Sequence, residues 1–294
     1  MKEIVWNDRF NLGVEVIDKA HQKLFSIVNK LILMNEDSKK QPHACKEGVK
    51  YFKSYTLKHF AEEEEYMRRI AYKGYDKHKY IHDKMRDKTL PALEQELEEE
   101  HYSEESVQHF MGICIGWLNA HIIVDDRANV NKASVKWVYD AAEDELSAFE
   151  KAVIQTLQEM FRTEAEVARA HYGGGNFYAG NKICYRLRYR SARDTFLQIF
   201  FVYEDRYVER MLSELLGRPL EKIDKTALYA VKVLSEKLID NVKTYFPLTD
   251  GYHREKTEII GFDQFVRTFS IDDPVYSVLF QTEEYGQFAL CVRL

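Results

Sequence analysis

His59-Phe60-Ala61-Glu62-Glu63-Glu64-Glu65-Tyr66-Met67 sets an imidazole four residues ahead of a carboxylate. Residues four apart share a helix face, so His59 and Glu63 point at one spot. One such pair alone is commonly a surface helix pair. Neighbouring segments repeat the device. His78 and His82 are four apart, His21 lies one turn past Asp18, and His121 precedes Asp126 by five. A five-residue step fits one face poorly, so it requires Asp126 to come from a loosened last turn. One histidine-rich contribution from each of four helices, all facing inward, is how a bundle builds a two-metal site.

Helical periodicity surrounds these positions. Ile17, His21, Leu24, Phe25, Val28 and Leu31 recur on one face. A polar break over 35–41 ends in Pro42, and a second helix is predicted over about 43–70. Gly74 separates it from a third over about 76–98, which Pro91 is expected to kink or restart, because proline lacks the N–H of the helix ladder. Ser103 followed by Glu104 and Glu105 opens a fourth, as an N-cap with early carboxylates does. The prediction for residues 1–135 is an all-α up-down four-helix bundle.

The donor types select the metal. Imidazole and carboxylate without thiolate suit iron, manganese or zinc better than copper(I) or an iron–sulfur cluster. His21, His59, His78, His82 and His121 with Glu63 and Asp126 are too many for one tetrahedral zinc. They suit two metals bridged by Glu63 and Asp126, and the unequal set leaves one metal short of a ligand, where a diatomic can bind. A one-residue change of register would bring in Asp125, or Glu62, Glu64 or Glu65; spacing favours Glu63 and Asp126. His43, His101, His109, His171 and His253 belong to no pair at ligand spacing that fits the same site.

Composition excludes other classes. The 294 residues, 45% hydrophobic and 31% charged, are enough for packed cores and a two-domain chain. A net charge of -6 without a basic stripe argues against a nucleic-acid partner. No apolar run reaches the roughly 18–20 residues that span a bilayer, and the N-terminus lacks a signal peptide's apolar stretch. No membrane association and a cytoplasmic location are therefore expected. Cys45, Cys114, Cys184 and Cys291 lack paired spacing and read as reduced thiols.

Trp6, Gly13-Val14, Ile17-Asp18, His21 and Leu24-Phe25 resemble the opening motif of bacterial hemerythrins. The His59–Met67 stretch resembles their His-Phe-x-x-Glu-Glu-x-x-Met segment, and His78 with His82 the paired histidines of their third helix. Trp117-Leu118-Asn119-Ala120-His121-Ile122 with Asp126 resembles their last motif. The resemblance covers roughly 1–130. It implies two Fe ions with an oxo or hydroxo bridge, bridged also by Glu63 and Asp126, and O2 as ligand. It further implies that the closed iron takes His78, His82 and either His121 or His59, and that the open iron takes the remaining two, His21 among them. The preferred division gives His59 to the closed iron and His121 to the open one.

After about residue 140 the pattern changes. A helix is predicted over 143–162, where Leu146, Phe149, Val153, Leu157, Met160 and Phe161 mark one face. His171-Tyr172-Gly173-Gly174-Gly175 reads as a turn, since it lacks the Gly-Lys-Ser/Thr ending of a phosphate loop. Residues 184–189 and 195–202 are rich in aromatic and β-branched side chains and read as strands, and the last forty-odd residues alternate again as a strand meander, as in 276–280 and 287–294. Helices over about 204–216 and 221–246 flank Gly217-Arg218-Pro219. Residues 136–294 are thus expected to form an α+β domain. The boundary falls within 130–145 without a Gly/Pro/Ser-rich linker, which predicts a helical connector.

Glu214–Asp224, Thr226–Val231 and Leu238–Thr244, in this order of elements, resemble the chemotaxis phosphatase CheX and its relatives over about 145–294. That family removes the phosphoryl group of a receiver domain with a Glu-x-x-Asn pair on a helix. Its Asn orients the attacking water and its Glu bonds the regulator's lysine. On this pattern Val233 stands at the Glu position and Glu236 at the Asn position. Val233 accepts no hydrogen bond, and the charge of Glu236 would repel a phosphoryl group in a dry site. Asn241 with Glu236, five apart, is a substitute that faces poorly.

The leading expectation is a sensor of O2, or of another diatomic or redox state. Its CheX-like domain would be catalytically inactive, would dimerise the chain, and would face a response-regulator or chemotaxis protein. The alternatives are an O2-regulated phosphatase of a phosphorylated response regulator, and an O2 carrier or iron buffer with a passive dimerising tail.

Overall fold

A computed structural model describes residues 3–36, 42–130, 144–269 and 274–294. The chain divides into two compact units, Met1–Ala133 with Glu214–Ala230, and Ser134–Ser213 with Val231–Leu294. The expected boundary at 135/136 and most of the polar break at 35–41 lie outside the described residues.

The first unit is helical, with α1 (Glu15–Glu36), α2 (Pro42–Arg69), α3 (Tyr75–Lys84), α4 (Leu90–Glu99), α5 (Glu104–Ala120) and the short α6 (Arg127–Asn129). Wide π-helical turns, Met85–Thr89 and His121–Asp126, join α3 to α4 and α5 to α6. The first has a local cause. Pro91 cannot donate to the ladder, so the turn ahead of it widens and Leu90 N–H reaches back five residues to Met85 O. The helix then restarts with Pro91 in its first turn, where a missing N–H costs nothing. The second π turn has an i→i+5 repeat that puts Asp126 on the same face as His121, which the five-residue spacing required.

Capping and packing follow the sequence. Ser103 accepts a hydrogen bond from Ser106 N–H at the start of α5. The Asp18 carboxylate accepts from Leu12 N–H and Gly13 N–H and ties the N-terminal segment to α1; Gly13 meets this turn at φ 83°, a region that favours glycine. Phe10, Phe25, Phe60 and Phe110 are fully buried in the core. One expectation fails here. Glu104–Asn129 carries a stretch long and apolar enough to cross a membrane, with mean hydropathy 1.3, and 72% of that stretch is buried in the fold. It reads apolar because it is a core helix, and it holds the buried side chains of Asn119, His121 and Asp126.

The rest of the chain adds α7 (Glu145–Phe161), β1 (Ala165–Arg169), β2 (Lys182–Ser191), β3 (Phe196–Glu204), α8 (Asp205–Leu216), α9 (Lys225–Val242), β4 (Tyr252–Ile260), α10 (Phe262–Phe269), β5 (Tyr276–Thr282) and β6 (Gly286–Arg293). The second unit is α+β. Its sheet has the order β1-β5-β6-β3-β2-β4, with every neighbouring pair antiparallel. Side chains alternate across it. Tyr185, Leu187 and Tyr203 share one face, and Tyr203 OH meets Ser235 Oγ of α9 at 3.0 Å. Cys184, Phe200, Val202 and Cys291 lie on the other, packed with Phe265 of α10. All four cysteines are free and buried.

β1 and α10 were not expected from the sequence, and β4 falls within the last forty-odd residues read as a strand meander, without bounds of its own. β4 is an edge strand carrying Arg254, Glu255, Lys256 and Glu258, and β1 is an edge strand rich in alanine and charge. Each pairs with its neighbour through a register shift. Charges and bulges are how sheets blunt their open edges, and they erase the apolar alternation that marks a strand. Gly173–Gly175 lies in a loop, as expected.

Candidate metal centre

Four segments bring the expected ligands together. α1 supplies His21, α2 supplies His59 and Glu63, α3 supplies His78 and His82, and the π turn after α5 supplies His121 and Asp126. All are buried. Their donor atoms form two groups, Glu63 with His78, His82 and His121, and Glu63 with His21 and His59. In the first, His82 Nε2 is 3.1 Å from His78 Nε2 and 3.0 Å from His121 Nε2. Glu63 Oε2 lies 3.4 Å from His82 Nε2 and 3.7 Å from His59 Nε2, so one carboxylate faces both groups. Asp126 does the same, with Oδ1 3.0 Å from His121 Nε2 and Oδ2 3.2 Å from His21 Nε2.

This grouping corrects the preferred division of the histidines. His121 stands with His78 and His82, and His59 stands with His21. The π turn brings His121 to within hydrogen-bonding distance of His82 on α3. His59, one helical turn before Glu63, lies beside α1, its ring centroid 4.6 Å from that of His21.

The residues fit a pair of cations. Both nitrogens of His21, His59 Nε2, Glu63 Oε2 and both oxygens of Asp126 are buried and make no hydrogen bond. Each buried polar atom left so costs about 1–3 kcal/mol. Imidazole and carboxylate atoms converging without hydrogen-bond geometry are what bound cations satisfy, and the donors suit iron, manganese or zinc.

Charge within the cluster is settled mutually. Burial raises the Glu63 carboxyl, but the imidazoles of His121, His78 and His82 outweigh it and hold the group well below the carboxylate range. Burial and Glu63 raise Asp126, while His121 and His21 bring it below its ordinary value. Burial lowers His121, yet Asp126, Asp125 and Glu63 raise it well above the imidazole range. His59, buried beside His21, is pushed down to about 3 and offers a neutral lone pair.

Three residues near the ligands have roles that sequence reasoning missed. Glu64 Oε1 is 3.1 Å from His82 Nδ1, and Asp125 Oδ2 is 3.2 Å from His121 Nδ1. Asn129 Nδ2 donates to Glu63 Oε1 at 2.9 Å. Glu64 and Asp125 read in the sequence as rivals to the bridging positions; they stand instead behind the imidazoles. A usable signal was present for Asp125, four residues after His121 on the same helix. The remaining histidines join no metal-binding group among the described residues. His109, for example, pairs with Glu96 at 2.7 Å.

The expected phosphatase positions lie on α9, where Val233 is half-buried. Glu236 Oε2 is 3.4 Å from Arg254 Nη2, and Asp240 Oδ1 is 3.1 Å from Arg254 Nη1.

Residues 12–130 match the hemerythrin HHE cation binding domain. A bacteriohemerythrin of Clostridium acetobutylicum is 32% identical over 129 residues, which is 43% of this chain and 98% of that protein. Among solved structures, the chemotaxis protein CheX from Vibrio vulnificus is similar with a TM-score of 0.37 at 10% identity, covering 53% of this chain and 99% of its own. A chemotaxis protein CheX from Desulfovibrio desulfuricans gives 0.38 at 13% identity, covering 51% and 98%. Five imidazoles gathered about two shared carboxylates, and a relative matched along nearly its whole length, lead to one assignment: through residues 12–130 the chain belongs to the hemerythrin family.

Proposed function

We propose that the first unit binds two irons bridged by Glu63 and Asp126, and takes O2 or another small diatomic at the less fully ligated one. The observation that carries this reading is the sharing of Glu63 between a group of three histidines and a group of two. His78, His82 and His121 would hold one iron; His21 and His59 would hold the other, which keeps an open position. Iron supplies reversible electron donation to a bound diatomic. The protein excludes water, since every ligand is buried, and it fixes the imidazoles. The test is the visible absorption of iron-loaded protein under argon and under O2. A change that reverses on removing the gas, and is lost in His21→Ala, supports the reading. Unchanged absorption in fully loaded protein overturns it.

The second unit, on this proposal, is cytoplasmic with the first and relays the state of the iron site to a response regulator or chemotaxis protein, without hydrolysing receiver phosphate. A carrier or a store needs no second unit, which supports signalling by analogy. The inactivity is supported by α9, where Val233 offers no polar group and the Glu236 carboxylate is committed to Arg254. Phosphate release from a phosphorylated receiver separates this reading from the enzyme, and acceleration by the wild-type chain would establish the phosphatase. Dimerisation through the second unit belongs to the same proposal. Pairing by sheet edges has to overcome the register shifts in β1 and β4 and the charges on β4. Sedimentation at micromolar concentration decides it, a monomer overturning the dimer.

A further inference from the structure

The two ligand groups are not held alike. His82 is fixed on three sides: Nε2 faces the other ligands, Nδ1 is 3.1 Å from Glu64 Oε1, and the ring stacks on Phe60 at 4.1 Å with planes 7° apart. His121 is fixed in the same way, with Nδ1 3.2 Å from Asp125 Oδ2 and its ring stacked on Trp117 at 4.3 Å and 19°. His21, in the other group, makes no hydrogen bond at either nitrogen. Its neighbouring rings, His59 at 4.6 Å and Trp6 at 6.4 Å, meet it edge-on or tilted. Glu64 and Asp125 come from different helices, and both back the three-histidine group.

We propose that Glu64 and Asp125 are positioning residues that make the three-histidine position the tighter of the two, so that the metals load in order, that position first. The proposal rests on the two-metal reading above. A carboxylate that accepts the Nδ1–H leaves Nε2 as a bare lone pair, stops the ring from turning and makes the imidazole a stronger donor. His82 and His121 therefore meet a cation already aimed. His21 has to settle its tautomer and orientation when the cation arrives, so its position fills second. The consequence is regulatory. A chain with one metal has filled the group of three histidines and lacks the open position, so a response to gas appears only when metal is plentiful enough to fill the second.

The experiment is an anaerobic titration of the metal-free full chain with Co2+, followed by visible absorption and by equilibrium dialysis. The wild type is expected to take two equivalents in two resolved steps. Glu64→Ala and Asp125→Asn are expected to weaken the first step by about 10–100-fold while the second changes by less than about two-fold. The isosteric Glu64→Gln is included in case truncation disturbs folding, which circular dichroism of the metal-free variants reports. Glu62→Gln and Glu65→Gln, neighbours in the same acidic run, are expected to change neither step. Equal weakening of both steps, or no weakening of either, overturns the proposal. Two equivalents bound in a single step overturn it too and leave the two-metal reading intact. One equivalent or none at saturation overturns that reading itself.

Discussion

The two units differ in where their buried polar atoms without hydrogen bonds lie: in the first they converge, in the second they do not. In the second, Ser277 Oγ donates to Tyr172 O, Thr282 Oγ1 to Gly286 O and Thr156 Oγ1 to Ala152 O, while Ser235 meets Tyr203. In the first, His21, His59, Glu63 and Asp126 crowd together with atoms that make no hydrogen bond at all. Burial without partners is costly, so such a cluster persists only where something else satisfies it. In the second unit the buried atoms without a hydrogen bond, Tyr189 Oη and Thr257 Oγ1 among them, are scattered and join no metal-binding group among the described residues. On the proposal above, the chemistry of the first lies inside it.

The strongest way to break this contrast is Glu63→Ala. It removes the carboxylate common to both groups. Iron content is expected to fall from about two per chain to less than one, because one of the two carboxylates that join the two positions is gone. A full iron complement in that variant would dissolve the comparison.

Metal removal sharpens it next. A ligand that binds only the folded state stabilises by about 4 kcal/mol at a thousand times its Kd. Calorimetry with and without a chelator should therefore show the transition of the first unit falling while that of the second holds. Equal shifts in both would mean that the units are not separately completed.

A smaller effect distinguishes the two groups. His21→Ala should lose gas-dependent absorption while retaining one metal in the three-histidine group, whereas His121→Ala should weaken that group. His43→Ala, His101→Ala and His109→Ala should do neither. Were a control histidine to matter as much as His121, the grouping would be wrong.

The smallest effect concerns α9. Wild-type chain should leave the rate of phosphate loss from a phosphorylated receiver unchanged, and a Val233→Glu, Glu236→Asn double variant should gain a measurable rate. Acceleration by the wild type that disappears in Glu236→Ala or Asn241→Ala would give the second unit a catalytic surface after all.

How much of this was legible in the sequence differs by unit for a physical reason. Ligand positions are local: His59 and Glu63, or His78 and His82, are brought together by helix geometry alone, and Asp126 required only a widened turn. Which histidines share a metal is not local. It depends on how α1, α2, α3 and the turn after α5 pack, and so the place of His121 beside His82 was misread. Glu64 was hidden because spacing from His59 singles out Glu63 in the run of four glutamates, and nothing local shows that its neighbour meets His82 of another helix. In the second unit the central strands declared themselves by buried aromatic and β-branched residues. The edge β1 did not, and β4 showed no bounds of its own within the alternating C-terminal stretch, since a blunted edge is polar by design. Pro91 was legible in part. Its missing N–H predicted a break, and the break took the form of a π turn that lets the helix resume.

The most direct test of the central claim is the metal content of the 294-residue chain loaded anaerobically with Fe2+ and desalted, measured against protein concentration. A four-helix site built as described predicts about two irons per chain, retained through desalting and spectroscopically changed by O2. One iron per chain, or none, with a folded first unit would contradict it.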